Sequence, residues 1–314
     1  SVNTTAGHQG YANRRRRQRV MALLRAPLLA VALGACGGPG ADPAAAPEST
    51  AYSRPRPVTL VGYDDDAMEP FVTRNGRVLL FNNSNDPAAQ TDLHWAERID
   101  DTTFAWRGRL QGVNTDALEG VPSADNQGQL YFVSPREYAS TRATVYRGRL
   151  HGGRVESLQR LDSLSSSGLA MVVFDAEVSA DGQWLALSEG RFVGAGAPIT
   201  ADLLIARRQG AEFQRLPASS HWLAAINTGA LEYAACWSND RRTLLFTRAG
   251  DSSNGGAPSI WITHRGSDDQ PFQPPLRLSR LDGFVEAPAL SPDERLLYYH
   301  RRDGQRWRIY VAER

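Results

Sequence analysis

Lysine is absent from this sequence, and all 35 basic residues are arginine. Two cysteines, Cys36 and Cys236, are too few for a disulfide framework. The most apolar stretch, MALLRAPLLAVALGAC at 21–36, is interrupted by Arg25 and falls short of the about 20 apolar residues that cross a bilayer. His94, His151, His221, His264 and His300 are scattered one per loop or strand, with no zinc-type spacing, and no Gly-x-Ser-x-Gly nucleophile elbow occurs. These absences argue against a zinc hydrolase and a serine hydrolase. Positive charge is not gathered either. Residues 1–35 hold six arginines and no acid, which leaves 29 arginines against 34 acids, a net −5, in the rest. Arginines spread over strand ends in an acidic chain give no footprint for nucleic acid.

What is present begins with a basic segment, RRRRQRV, followed by a short apolar core and small residues, the layout of an export signal over residues 1–36. Met21 or Val20 is an alternative start within it. Its end, Leu33-Gly34-Ala35-Cys36, resembles a bacterial lipobox. That resemblance implies lipidation of Cys36 and a lipid-anchored protein on the periplasmic side of a bacterial cell envelope. Gly37 after the cysteine points by the same resemblance to the outer membrane. Ordinary cleavage after a small residue would instead leave Cys36 incidental. Residues 37–57, GGPGADPAAAPESTAYSRPRP, are too rich in Gly, Pro, Ala and Ser to bury a core and read as a flexible tether.

The remainder is repetitive. EAPALSPDERLLYY (286–299) reads as a hairpin, with Pro292 and Asp293 suited to a tight turn and a Leu/Tyr run suited to a strand. Ser238-Asn239-Asp240 before TLLF, Ser179-Ala180-Asp181-Gly182 before WLAL and Thr73-Arg74-Asn75-Gly76 before VLLF repeat it without a gap. Ser123-Ala124-Asp125 before LYFV repeats it with one residue inserted. Third-strand segments follow at LHWAER, VYRGRL, LLIARR, IWITHR and IYVAER, with fourth-strand pieces such as RVESLQRL and EFQRL after them. Five such units at a period of about 50 predict an all-β propeller of four-stranded blades over residues 58–314. A sixth, degenerate blade is the alternative, although no interval is long enough to hold one comfortably. IYVAER is a third strand at the chain end, so the N-terminal strand at 58–63 is expected to complete the last blade against 307–313 and close the ring.

The acid, small-residue and Ser-Pro-Asp-Gly pattern resembles TolB-type, WD40-like propeller repeats, best at EAPALSPDERLLYY and well at FDAEVSADGQWLAL and EYAACWSNDRRTLLF. One blade fewer than TolB is expected, with no recognisable α/β segment ahead of the repeats. The resemblance implies an envelope protein that binds a protein or peptide partner.

An acid precedes each turn: Glu69, Glu119, Asp175, Glu232 and Glu286, with Asp66 and Asp116 matched upstream of two of them. First strands line a propeller channel, so these carboxylates are expected to gather at one mouth. There they would bind a basic peptide or a cation such as Ca²⁺, or else merely cap backbone N–H groups. Asp66 and Asp116 are the preferred site residues. Trp222, in the longer leading loop 219–230, would face a partner or pack between blades. Cys236 reads as a small core residue. The rival function is a carbohydrate-active, glycosidase-like enzyme using Asp66, Glu69, Asp175 and Glu232. No catalytic constellation is assigned.

Overall fold

Each repeat is organised by a turn whose side chains satisfy the backbone they interrupt. Ser179 Oγ donates to Asp181 Oδ1 (2.6 Å), Asp181 Oδ1 accepts from Gln183 N (3.0 Å), and Ser179 Oγ accepts from Trp184 N (3.0 Å). The same three bonds recur at Thr73/Asn75, Ser238/Asp240 and Ser291/Asp293. The second repeat corrects the sequence reading. Its turn starts at Asp125 rather than Ser123, and this one carboxylate accepts from both Gln127 N and Gln129 N at 2.9 Å.

The computed structural model describes residues 45–86, 88–194 and 196–314. They open with three short strands, β1 (Glu48–Ser49), β2 (Ser53–Pro57) and β3 (Thr59–Val61). Blade 1 is β4 (Met68–Val72), β5 (Val78–Asn82), β6 (Leu93–Arg98) and β7 (Thr103–Arg109). Blade 2 is β8 (Gly120–Ala124), β9 (Gln129–Val133), β10 (Val145–His151) and β11 (Arg154–Arg160). Blade 3 is β12 (Met171–Val178), β13 (Trp184–Arg191), β14 (Thr200–Gln209) and β15 (Glu212–Arg215). Blade 4 is β16 (Leu231–Trp237), β17 (Thr243–Ala249), β18 (Ser259–His264) and β19 (Leu276–Leu278). Blade 5 is β20 (Val285–Leu290), β21 (Leu296–Asp303) and β22 (Arg306–Glu313), completed by β2. The chain is a β-propeller.

Closure uses the N-terminal strand, but not the one expected. Ser53–Pro57, not 58–63, runs antiparallel to β22, pairing Ser53 with Glu313 and Pro57 with Tyr310. Two prolines are tolerated because an outer strand needs few of its N–H groups. The segment at 59–61 crosses instead to blade 1 and pairs parallel with β7, as Gln111 does with Arg154 of blade 2. Residues 59–61 and Gln111 therefore occupy equivalent blade-to-blade crossings. Residues 48–49 and 53–57 also move from the expected tether into strands, β1 lying parallel on the edge of blade 4. Cys36 and the export signal lie outside the described residues.

Five apolar layers between successive blades make the core. The layer between blades 4 and 5, for example, joins Cys236, Leu245 and Ile260 to Leu290, Leu297 and Tyr299. Cys236 is thus a buried packing residue, as read from the sequence.

Candidate functional site

The innermost strand of every blade slips register by one residue against the second strand, at the same place in blades 1, 2, 4 and 5 and slightly earlier in blade 3. Pairing with the second strand shifts between Met68 and Phe71, Gly120 and Ser123, Val173 and Asp175, Tyr233 and Cys236, and Glu286 and Ala289. In four blades a non-glycine residue four positions before the turn has positive φ: Glu69 (51°), Val121 (55°), Ala234 (52°) and Ala287 (57°). Such backbone is strained for residues with a Cβ. It is held by the preceding blade. Glu69 N donates to His300 Nδ1, Val121 N to Asn82 Oδ1, Ala234 N to Ser188 Oγ and Ala287 N to Thr247 Oγ1, at 3.0–3.1 Å. A bulge re-aims side chains, and the position four before the turn lines the channel with a ring of Glu69, Val121, Asp175, Ala234 and Ala287.

The five predicted acids therefore separate into two kinds. Glu119 and Glu232, six positions before their turns, turn away from the channel and tie their own leading loops. Glu119 accepts from Thr115 N and Thr115 Oγ1 (both 2.7 Å), Ser134 Oγ (2.9 Å) and Arg136 Nη2 (3.0 Å). Glu232 accepts from Thr228 N (3.0 Å), Thr228 Oγ1 (2.6 Å) and Arg248 Nε (2.8 Å). These two are backbone-capping residues.

Glu69, Asp175 and Glu286 come from blades 1, 3 and 5 and share one pocket at the channel mouth, of about 110 Å³. Glu286 is fixed by two donors, Tyr233 Oη and His300 Nε2 (2.9 Å). Because His300 Nδ1 accepts from Glu69 N, the ring proton of the neutral imidazole sits on Nε2, facing Glu286. Glu69 accepts from Asn85 Nδ2 (2.8 Å), and burial raises its carboxyl above the usual range. Asp175 is 4% exposed. Burial first, then the fields of Glu69 and Glu177, push its carboxyl well above the usual range, against a partial pull from the backbone N–H groups of Ala234 and Ala176. The walls are apolar, chiefly Val172, Phe174, Phe192, Pro135 and Pro198, and among the described residues no arginine lines the pocket. Among the described residues no group of three or more His, Cys, Asp or Glu side chains is placed to hold a metal ion.

Three expected site residues fall elsewhere. Asp66 accepts from Arg306 Nε (2.7 Å) and Trp307 N (3.2 Å), joining blade 1 to blade 5 away from the pocket. Asp116 is exposed and does not line the pocket. Trp222 packs between blades, 6.2 Å from the Trp184 ring, with its Nε1 donating to Asp269 O (3.1 Å). Tyr233, His300 and Asn85 were not foreseen. The available signal was position: His300 occupies the second-strand site filled by Asn82, Ser188 and Thr247 in other blades.

No known protein family and no curated protein matches this sequence. Solved structures do. A glycoside hydrolase matches with TM-score 0.56 at 11% identity, over 85% of this chain and 92% of that one. An α-L-arabinofuranosidase from Podospora anserina, solved with cellotriose, matches with TM-score 0.54 at 13% identity, over 86% and 98%. TolB from Acinetobacter baumannii matches with TM-score 0.44 at 15% identity, over 79% of this chain and 55% of the TolB chain, so this chain spans about half of that protein. At such identities the likeness is one of fold, and the fold is the β-propeller.

Proposed function

We propose that the channel-mouth pocket receives a positively charged group carried on an apolar stem by a protein or peptide partner, and that the propeller is a binding protein rather than an enzyme. The observation that carries this reading is Asp175, a nearly fully buried carboxyl with no cation beside it among the described residues, at the floor of an apolar pocket. A carboxyl so placed is costly to ionise alone. A guanidinium or ammonium from a partner would replace that cost with charge-assisted hydrogen bonds. A polyhydroxylated ligand would need many polar partners, and besides the carboxyls the lining offers few, such as Asn85, Ser134, Thr144 and Tyr233. In this reading Cys36 carries the lipid that holds the propeller in the envelope, with the outer membrane as its site, and the partner is an envelope protein or peptide. Membrane contact is then through the anchor.

Calorimetric titration with N-acetyl-arginine amide and N-acetyl-lysine amide tests the pocket, with CaCl₂ added as a competing cation. Binding should tighten as pH rises from 5.5 to 8, because the raised carboxyls must ionise, and Asp175→Asn should abolish it. No binding by the wild type across that range would end this reading; competition by Ca²⁺ would make the site one for inorganic cations.

A second reading is favoured by one observation: Glu69, Asp175 and Glu286 break the symmetry of the repeat, as an acid/base pair does. A glycosidase-like activity would use Glu69 and Asp175 across the channel, and a glycoside hydrolase and an arabinofuranosidase share the fold. Release of nitrophenol from aryl arabinosides or glucosides, lost in Glu69→Gln and Asp175→Asn, would displace the binding reading.

A further inference from the structure

Beside the pocket, blade 3 exposes apolar residues where solvent-facing loops are ordinarily polar. Leu169 is 78% exposed, Val193 62% and Ile199 58%. They are half of the exposed large hydrophobic residues among those described, and they meet at one place. Phe192 N donates to Ala170 O (2.9 Å) and Ile199 N to Arg191 O (2.8 Å), which extends the sheet past Met171–Arg191 and brings the three side chains to the same end of the blade. Phe192 and Pro198, neighbours of Val193 and Ile199 in sequence, line the pocket wall, so the exposed apolar residues adjoin the pocket. Apolar residues clustered at the lip of a cavity mark an interaction surface rather than chance exposure.

We infer that this rim and the pocket form one docking surface for a peptide segment in which a single arginine or lysine is flanked by apolar residues. The inference rests on the reading that the pocket takes a cation and adds what surrounds that cation. The basic side chain passes along the wall formed by the packed Phe174–Phe192 ring pair to reach Asp175 and Glu69, and the flanking apolar side chains cover Leu169, Val193 and Ile199. Charge complementarity commits the surface to a basic partner, because the floor holds carboxyls and no arginine. Burial of the rim supplies affinity that a free cation lacks.

Two probes separate the parts: N-acetyl-arginine amide, and the capped peptide acetyl-Ala-Leu-Arg-Leu-Ala-amide, each titrated into the wild type, Asp175→Asn and the triple variant Leu169→Ser/Val193→Ser/Ile199→Ser. The wild type should bind the peptide about tenfold or more tightly than capped arginine. The triple variant, changed only at exposed positions, should keep the wild-type melting temperature and its affinity for capped arginine while losing the peptide's advantage. Asp175→Asn should lose both. Capped arginine bound with no gain for the peptide would overturn the docking surface and leave the pocket reading standing. Neither probe bound would overturn both. Sedimentation of the wild type, but not of the triple variant, with neutral phosphatidylcholine vesicles would assign the rim to lipid and overturn the inference as well.

Discussion

The acids of blades 2 and 4 and those of blades 1, 3 and 5 belong to the same repeat and differ by one or two positions. Glu119 and Glu232 stand before the bulge, where the strand still faces its own leading loop, and each is saturated by a threonine and an arginine. Glu69 and Asp175 stand four positions before their turns and Glu286 five before its own, and all three side chains line the channel mouth. Capping acids occur in blades 2 and 4 and pocket acids in blades 1, 3 and 5, so the mere presence of an acid does not separate the two kinds. A carboxylate before a propeller turn is read by its register against that turn.

The largest effect that would break this contrast concerns the capping set. Glu232→Ala leaves Arg248 buried without its partner and should destabilise the domain by about 3–5 kcal/mol in denaturant melts. A variant as stable as the wild type would erase the distinction between the two sets.

Glu177 sharpens the contrast from inside the channel. It lies two residues beyond Asp175, accepts from Trp237 N (3.1 Å), and burial pushes its carboxyl up to about 7 despite the field of Arg74. The folded state favours its protonated form. The stability it contributes is therefore full in acid and lost as pH rises through about 7, a swing of about 3 kcal/mol. Glu177→Gln should flatten the stability profile between pH 5 and 8, and an unchanged slope would place the titration elsewhere.

Asp175→Asn should behave oppositely to Glu232→Ala. Removing a carboxyl that the fold holds mostly protonated should raise the melting temperature at pH 8 and change it little at pH 5, while binding of the arginine probe is lost. Destabilisation at both pH values would move Asp175 into the capping set.

The smallest effect is expected at Asp66. Its pair with Arg306 is partly solvent-exposed, so Asp66→Asn should cost about 0–1 kcal/mol and leave binding unchanged. A loss of binding would return Asp66 to the site.

Much of the fold was legible because its chemistry is local and repeated. The Ser-x-Asp turn satisfies its own backbone, so it can be recognised wherever it occurs, and only at Asp125 did a single carboxylate disguise it. The closing strand was misplaced because 59–61 and 53–57 are both short outer pieces, and which one pairs with β22 depends on the path between blades. Glu286 and His300 are ladder partners across a hairpin, but counting back from the turn misses the pair by one, because the bulge adds a residue that the sequence does not mark.

From the sequence by itself follow the five repeats, their four-strand plan and the turn that ends each inner strand, since hydrogen bonds within a few residues and alternating apolar side chains suffice to specify them. Only the tertiary structure decided that Glu69, Asp175 and Glu286 meet while Glu119, Glu232, Asp66 and Asp116 do not. Those three are brought together by ring closure across more than 200 residues. Each is aimed by its register in the innermost strand, where one residue is the difference between facing a loop and facing the channel.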